Sequence, residues 1–480
     1  MIPTTQDYIR LLPELVLTLF GCLVMFAEPL LAPGRSRRPL GWLAVAGLIA
    51  ALGATLMQIG HHGTGFFNMV RVDTFSIFFH VVIITTALVA VLASLDYLER
   101  QQIVGGEFYA LVLFGTVGMV LMSAAIELVL IFIALEISSI STYILAGFRK
   151  RVAASTESAL KYFLLGSFAT AFFLYGVAMM FGGTGSTNIP VIAQALRANG
   201  STALVFAGIA LMFVGLGFKV ASAPFHVWTP DVYEGAPAPV VGLMSTAPKA
   251  AAFAVLLRIL FEIGAPGWFW LVWVSAVLSM TLGNVGALVQ NNVKRMLAYS
   301  SIAHAGYLLV AFAAAREIGI SAAIFYATSY AAMNVGAFAI ISHLAGEGER
   351  YVTYDDFAGL GRRSPILAAC LTIFLLSLIG IPLTGGFFAK FYVFSAALQA
   401  DLIGLTIIGV INSAIAAYYY LRLIVVMYMR DARDETAVPL AVPFALAIAV
   451  LISTVATLWL GILPGSVLDY ARQSAADLLP

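Results

Sequence analysis

The sequence predicts an all-α membrane protein of about fourteen transmembrane helices, and three observations carry that expectation. Of 480 residues, 61% are hydrophobic and only 10% are charged, against roughly half and a quarter in soluble chains. The apolar runs are unbroken over roughly 20 residues, the length a helix needs to cross the hydrocarbon core, whereas a β-barrel would alternate in segments of about ten. With about a dozen residues per connection the chain holds about fourteen crossings, and helices satisfy their own backbone groups in lipid. The formal net charge of +1 gives no basis for binding nucleic acid.

Read in order, the runs place spans at 11–31, 40–59, 75–95, 108–124, 128–148, 158–181, 202–222, 238–261, 268–289, 296–314, 319–344, 366–398 with an internal break, 404–429 and 438–462. The basic residues sort by loop: Arg35, Arg37 and Arg38; Arg100; Arg149, Lys150 and Arg151; Lys294 and Arg295; Arg350, Arg362 and Arg363; Arg430 and Arg433. Each group follows an odd-numbered span, and the other loops hold only scattered cases such as Arg71, Arg197 and Arg316. The positive-inside bias therefore puts the odd-to-even loops in the cytoplasm and both termini outside. The stretch Met1–Ile9 has no Lys or Arg and does not read as a cleavable signal peptide.

The chain repeats itself. Ser138-Ser139-Ile140 in span five recurs as Ser300-Ser301-Ile302 in span ten, about 160 positions on, and Ala146-Gly147-Phe148 recurs as Ala305-Gly306-Tyr307. Ser158-Ala159 with Tyr162-Phe163 is echoed by Ser321-Ala322 with Phe325-Tyr326. An offset holding five spans, an odd number, inserts the second copy upside down, and inverted repeats place polar sites where helices break near the midplane. Two breaks are expected, in partner spans seven and twelve. Pro224 interrupts Gly215–His226, and Pro382 with Gly385 and Gly386 interrupts Gly380–Lys390, each proline removing a helical hydrogen bond. The single membrane domain then divides into three N-terminal spans (1–107), a first copy (108–262), a second copy (263–430) and a C-terminal span (431–480).

Of six lysines, Lys150 and Lys294 fall in cytoplasmic loops and Lys161, Lys219, Lys249 and Lys390 inside spans. Each mid-span lysine costs about 2.5 to 3.5 kcal/mol to insert, and four together cost as much as the whole stability of a typical domain, so a functional reason is expected. Glu136 is the clearest intramembrane acid, while Glu14, Glu28, Glu127 and Glu157 lie near span ends within reach of water. A desolvated lysine gives up its proton more readily and a neighbouring carboxylate restores its hold. The lysines, with His226 and His304, therefore make stations for proton transfer. Lys161, three positions into its span, is equally placed to snorkel to the surface; Arg258 and Arg422, near span ends, are expected to snorkel as well. His304 is as well suited to bonding a neighbouring helix.

Cys22 and Cys370 form no C-x-x-C pair, and His61, His62, His80, His226, His304 and His343 offer no repeated facing pairs. No ligand set is expected for a metal, an iron–sulfur cluster or a haem.

Four runs are specific: A-P-F-H-V-W-T-P-D-V-Y-E-G-A-P-A-P-V (Ala223 to Val240), S-T-A-P-K-A-A-A-F (Ser245 to Phe253), N-N-V-K-R-M-L-A-Y-S-S-I-A-H-A-G-Y (Asn291 to Tyr307) and G-I-P-L-T-G-G-F-F-A-K-F-Y (Gly380 to Tyr392). They closely resemble the subunit N family of the bacterial proton-pumping NADH:quinone oxidoreductase, respiratory complex I, over about residues 108–430. The resemblance implies an antiporter-like fold of fourteen helices, with spans four to eight and nine to thirteen as inverted halves and spans seven and twelve discontinuous. It implies that Glu136 and Lys219 form a modulating ion pair, that Lys249 is the central lysine of span eight, and that Lys390 stands near the route outward. Lys161 and His226 match further polar positions. The sibling M type usually carries a glutamate where Lys390 stands, and the L type continues past span fourteen into a lateral helix for which this chain has no residues.

The expected function is that of a translocase subunit moving H⁺ from the cytoplasm across the bacterial inner membrane, driven by quinone reduction elsewhere. NADH, FMN, iron–sulfur clusters and quinone are expected in other parts of the complex and none in this chain. The expected partners are the other membrane subunits, sibling antiporter-like ones included, and lipids. A subunit of a multi-chain Na⁺(K⁺)/H⁺ antiporter is the alternative; a scaffold whose charges only hold subunits together and a membrane subunit of a hydrogenase-type complex rank below it.

Overall fold

The computed structural model describes residues 4–32, 34–103, 105–264, 267–432 and 441–479, and the side chain of Arg316 is not among the described parts. Among these residues, thirteen helices are long and apolar enough to cross a membrane: Leu12–Leu30, Arg38–Gly60, Thr74–Arg100, Glu107–Ala124, Leu128–Ala146, Ala153–Thr184, Ala203–Val220, Ala238–Glu262, Phe269–Leu288, Val293–Ala314, Glu317–Leu344, Ile403–Met429 and Phe444–Ile462. They are spans one to eleven, thirteen and fourteen. Span twelve is missing from that series because it is split into Pro365–Ile379 and Gly385–Gln399, each of 15 residues and each too short to cross alone. The expected fold is thus present with its break in place; Arg433 and the expected start of span fourteen at 438 lie outside the described residues.

Three smaller elements carry too little hydropathy signal to be read from sequence: a hairpin pairing Gly63–Gly65 with Val70–Val72, a helix Ile189–Asn199 between spans six and seven, and a helix Pro464–Ala476 after span fourteen. Span six is also longer than expected, 32 residues from Ala153 to Thr184.

The two expected breaks close in the same way. Span seven ends with Ala221 in the left-handed region (φ 59°), the Ser222 amide donating to the Gly217 carbonyl at 2.9 Å and the Ala221 amide to Phe218. Span twelve halts at Gly380 (φ 95°), the Ile381 amide donating to Leu376 and the Gly380 amide to Ser377, both at 3.0 Å. This paired closure ends a helix while satisfying carbonyls that would otherwise be orphaned in oil. The run of turns after span seven is held by span nine, where Ser279 Oγ accepts from the Ala223 amide and Ser275 donates to the Ala223 carbonyl. The chain then resumes as Thr229–Gly235.

Span eight is also interrupted, which the sequence reading did not foresee. It runs as Ala238–Met244, breaks at Ser245 and Thr246, and restarts as Ala247–Leu257 with Pro248 in its first turn. Hydroxyls repair the gap: Thr246 donates to Gly242 at 2.6 Å, Ser245 donates to the same carbonyl, and Asn334 of span eleven donates to Ser245. Its C-terminal end is a π-helical turn, Arg258–Glu262.

Neighbour relations repeat between the halves. Span four packs on five, five on six, six on seven and eight on four; nine packs on ten, ten on eleven, eleven on twelve and thirteen on nine. The connections also sort by face. Those after even spans meet one another: Val70 bridges Ala125, Glu127 bridges Asn188, Arg71 pairs with Glu262, and Asp477 accepts from the Thr74 amide. Arg10, before span one, bonds His61, His62 and Thr64 on that same face, so both described ends of the chain lie there. The connections after odd spans meet on the opposite face, as alternating crossings require.

Candidate functional site

Three of the four interior lysines are buried: Lys219 is 4% exposed, Lys249 3% and Lys390 6%. All three are tied to breaks. Lys219 lies in the last helical turn of span seven, where the negative end of the helix dipole favours a cation. Lys390, on the second half of span twelve, reaches back so that its amine donates to the Leu378 and Ile379 carbonyls at 3.0 and 2.8 Å and to Ser413 Oγ at 2.8 Å. Those carbonyls end the first half of the span and have no helical donor. The amine also lies 4.9 Å from the centre of the Tyr307 ring, where the π-face attracts a cation. Lys249, in the first turn after the span-eight break, turns toward span ten and donates to Ser301, at 2.5 Å to Oγ and 3.1 Å to the carbonyl.

The expected Glu136–Lys219 contact is not closed. The described ion pairs within 4.0 Å do not include it; Lys219 donates instead to Ser139 Oγ at 2.9 Å, one turn along span five from Glu136, whose Oε1 is buried without a hydrogen-bond partner. Glu136 is near enough for its charge to act on the lysine. The pair is therefore open, with the lysine held by a neutral neighbour.

His304 is 2% exposed and feels the charges of both Lys249 and Lys390. Tyr326 hydroxyl meets its Nδ1 at 2.7 Å and Tyr420 hydroxyl its Nε2 at 3.3 Å; Tyr420 also bonds Ser300 closely. Tyr330 donates to Ser301 Oγ at 2.8 Å. Beyond Tyr307 the polar line continues: Asn284 donates to Tyr307 hydroxyl and to Asn412, and accepts from Tyr419 at 2.9 Å. A cavity of about 10 Å³ between Lys249, Ser301, His304 and Tyr330 is about the size of one water. The hydroxyl partners carry no charge signal in the sequence, although the Ser-Ser repeat does mark two of them.

Lys161 is different. Its side chain is 41% exposed and pairs with Glu157 and Asp231, both at 2.7 Å. Because span six begins at Ala153, Lys161 stands eight positions in rather than three. Asp231 also takes Arg295, which in turn holds Glu234. His226 lies partly exposed in the span-seven break, its Nδ1 without a partner; the structure does not bring it into the line from Lys249 to Lys390.

Several charges differ from expectation. Lys294, expected in a loop, is 1% exposed. It donates to Glu349 at 2.6 Å and to the Glu234 and Ala236 carbonyls. Glu349 also takes Arg149 at 3.2 Å, Tyr97 hydroxyl and the Ala238 amide, each at 2.7 Å. Burial pushes this carboxyl up, but Lys294 and Arg149, with the hydrogen bonds from Lys294 and Tyr97, outweigh it and hold it below its ordinary 4.5. Arg258 does not snorkel: it is 0% exposed, bonding both Asp73 oxygens at 2.9 Å, Glu262 at 2.7 Å and the Ser123 carbonyl, with the Phe75 ring at 4.6 Å. Arg422 lies part-exposed against Tyr354. Glu14 and Glu127 are buried rather than within reach of water. Both Glu14 oxygens lack a partner, and Glu127 caps span five by accepting from the Leu130 amide. Among the described residues no group of three or more His, Cys, Asp or Glu could hold a metal ion.

Broken spans carrying buried lysines, in two halves with the same neighbour scheme, define an antiporter-like membrane subunit, and residues 125–416 match the family model described as NADH:quinone oxidoreductase/Mrp antiporter, TM. The chain is 63% identical to NADH-quinone oxidoreductase subunit N 2 of Koribacter versatilis, over 99% of this chain and 98% of that protein. A chain of respiratory complex I from Thermus thermophilus, solved with bound aureothin, superposes with a TM-score of 0.82 at 37% identity, over 95% of this chain and 98% of that one. A chain of the Mrp complex from Dietzia sp. superposes at 0.86 with 21% identity, over 99% and 98%, a likeness of fold. Within the antiporter-like class, the chain belongs to the subunit N family of NADH-quinone oxidoreductase.

Proposed function

We propose that this chain moves H⁺ from the cytoplasm to the outside as a membrane subunit of a proton-translocating NADH:quinone oxidoreductase, alongside sibling antiporter-like subunits. The observation that carries the reading is the set of three buried amines held only by neutral oxygen atoms, two of them within charge reach of one histidine. A structural role would favour a paired carboxylate, as Lys294 has in Glu349. Amines bonded to hydroxyls and carbonyls are free to exchange a proton with water or with one another. In this reading Glu136 biases Lys219, Lys219 passes its charge state to Lys249, and His304 with its tyrosines connects Lys249 to Lys390. Lys161 and His226 serve the approach to Lys219 from the cytoplasmic side. The halves 108–262 and 263–430 act as inverted units, with 1–107 and 431–480 packed beside them.

Lifting one charge against 100 mV requires about 2.3 kcal/mol. The driving reaction is quinone reduction in other subunits, where the redox groups reside. The odd-to-even face is cytoplasmic and both termini lie outside. The Na⁺(K⁺)/H⁺ exchange reading has the fold in its favour, whereas relatedness over nearly the whole chain favours the oxidoreductase subunit. Replacing Lys219 or Lys390 by Ala in the assembled complex tests the reading. The expected result is retained NADH oxidation with fewer protons pumped per NADH, and undiminished pumping removes that residue from the path.

A further inference from the structure

The Ser-Ser pair that marks the internal repeat has an unexplained regularity. In each copy the second serine receives a buried lysine: Lys219 donates to Ser139 at 2.9 Å and Lys249 to Ser301 at 2.5 Å. Both serines are 0% exposed. Lys219 belongs to the first copy, as does its serine, whereas Lys249 crosses from the first copy to the second. The same acceptor is thus used within one half and across the seam between halves. A carboxylate lies one turn from Ser139 and is left without a partner at Oε1, so the hydroxyl holds the lysine where an acid was available.

We propose that Ser139 and Ser301 are positioning residues that hold Lys219 and Lys249 in either protonation state; this rests on the proton-translocation reading above. A carboxylate only accepts, so when the amine becomes neutral the bond loses its charge assistance and the carboxylate has no hydrogen to offer the Nζ lone pair. A hydroxyl has a donor and two acceptor sites. It accepts from Nζ–H while the lysine is charged and, after the proton has left Nζ for water or the next base, rotates to donate its own hydrogen to the Nζ lone pair. The amine keeps its place through the cycle. Tyr330, donating to Ser301 Oγ at 2.8 Å, leaves that oxygen's hydrogen free for this reversal.

The experiment places Ser139→Ala, Ser139→Cys and Ser139→Thr, and the same three changes at Ser301, in the assembled complex. Proton pumping in membrane vesicles is read per NADH oxidised, beside Lys219→Ala and Lys249→Ala. Cys matches serine in size but is a weak donor and acceptor, so it decides the matter where Ala fails to assemble. The Ala and Cys variants are expected to lose at least half of what the matching lysine variant loses, with Thr near the parent. Normal pumping by the Cys variants while the lysine variants fail overturns the inference and leaves the translocation reading standing. A Thr variant that assembles and oxidises NADH normally but pumps no better than Ala overturns it too. Lysine variants that pump as the parent does overturn both.

Discussion

At the residue scale, the sequence marked the lysines and repeated a serine pair but did not say which neighbours would hold which amine. Charge in an apolar run is visible because its insertion is costly, whereas the choice between Ser139 and Glu136 is set by how spans five and seven register. Lys294 and Arg258 were misplaced for a related reason. Both sit at run ends, and their burial depends on connections distant in the chain, such as Asp73 meeting Arg258. Glu349 gives a direct test. Removing one partner of a buried ion pair costs about 3 to 5 kcal/mol, so Glu349→Gln should lower the temperature at which the subunit leaves the heated complex, read by native electrophoresis. The pH dependence has a definite sign. Because the folded carboxyl sits below 4.5, its contribution is complete above that value and disappears as pH falls through the lowered one. Heat resistance of the parent should therefore fall in that acid window, and the Gln variant should lack that part of the fall.

At the element scale, the breaks in spans seven and twelve were legible because proline and glycine announce them. The break in span eight was not, since Ser245 and Thr246 carry no such signal and Pro248 sits at a helix start, where proline is at home. The same closure at Ala221 and Gly380 makes a local prediction. A Cβ added at Gly386 would lie 1.8 Å from the Ser377 carbonyl, whereas one added at Gly404 meets nothing within 4 Å. Gly386→Ala should force apart the two halves of span twelve and lower the amount of subunit assembled, measured by immunoblot of purified complex. Gly404→Ala should leave it unchanged.

At the scale of the whole molecule, span count and repeat were both readable, because hydropathy and a shared offset survive without knowledge of packing. The facing clusters were not, since each gathers side chains from three or more connections. The proposed orientation predicts that single cysteines introduced at Thr4 and Leu479, in a Cys22→Ser, Cys370→Ser background, react with a membrane-impermeant thiol reagent from the outside of intact cells, and that one at Lys150 reacts only after lysis. The reverse pattern would invert the topology. Span six carries one more consequence. At 1.5 Å per residue its 32 residues extend about 48 Å, against a hydrocarbon thickness of about 30 Å. Such a rod must lean or protrude, and Phe168 and Tyr175 on it face outward. Lipids of shorter or longer acyl chain should change its tilt, and with it the distance from Lys161 to Asp231, coupling the subunit to the thickness of its host bilayer.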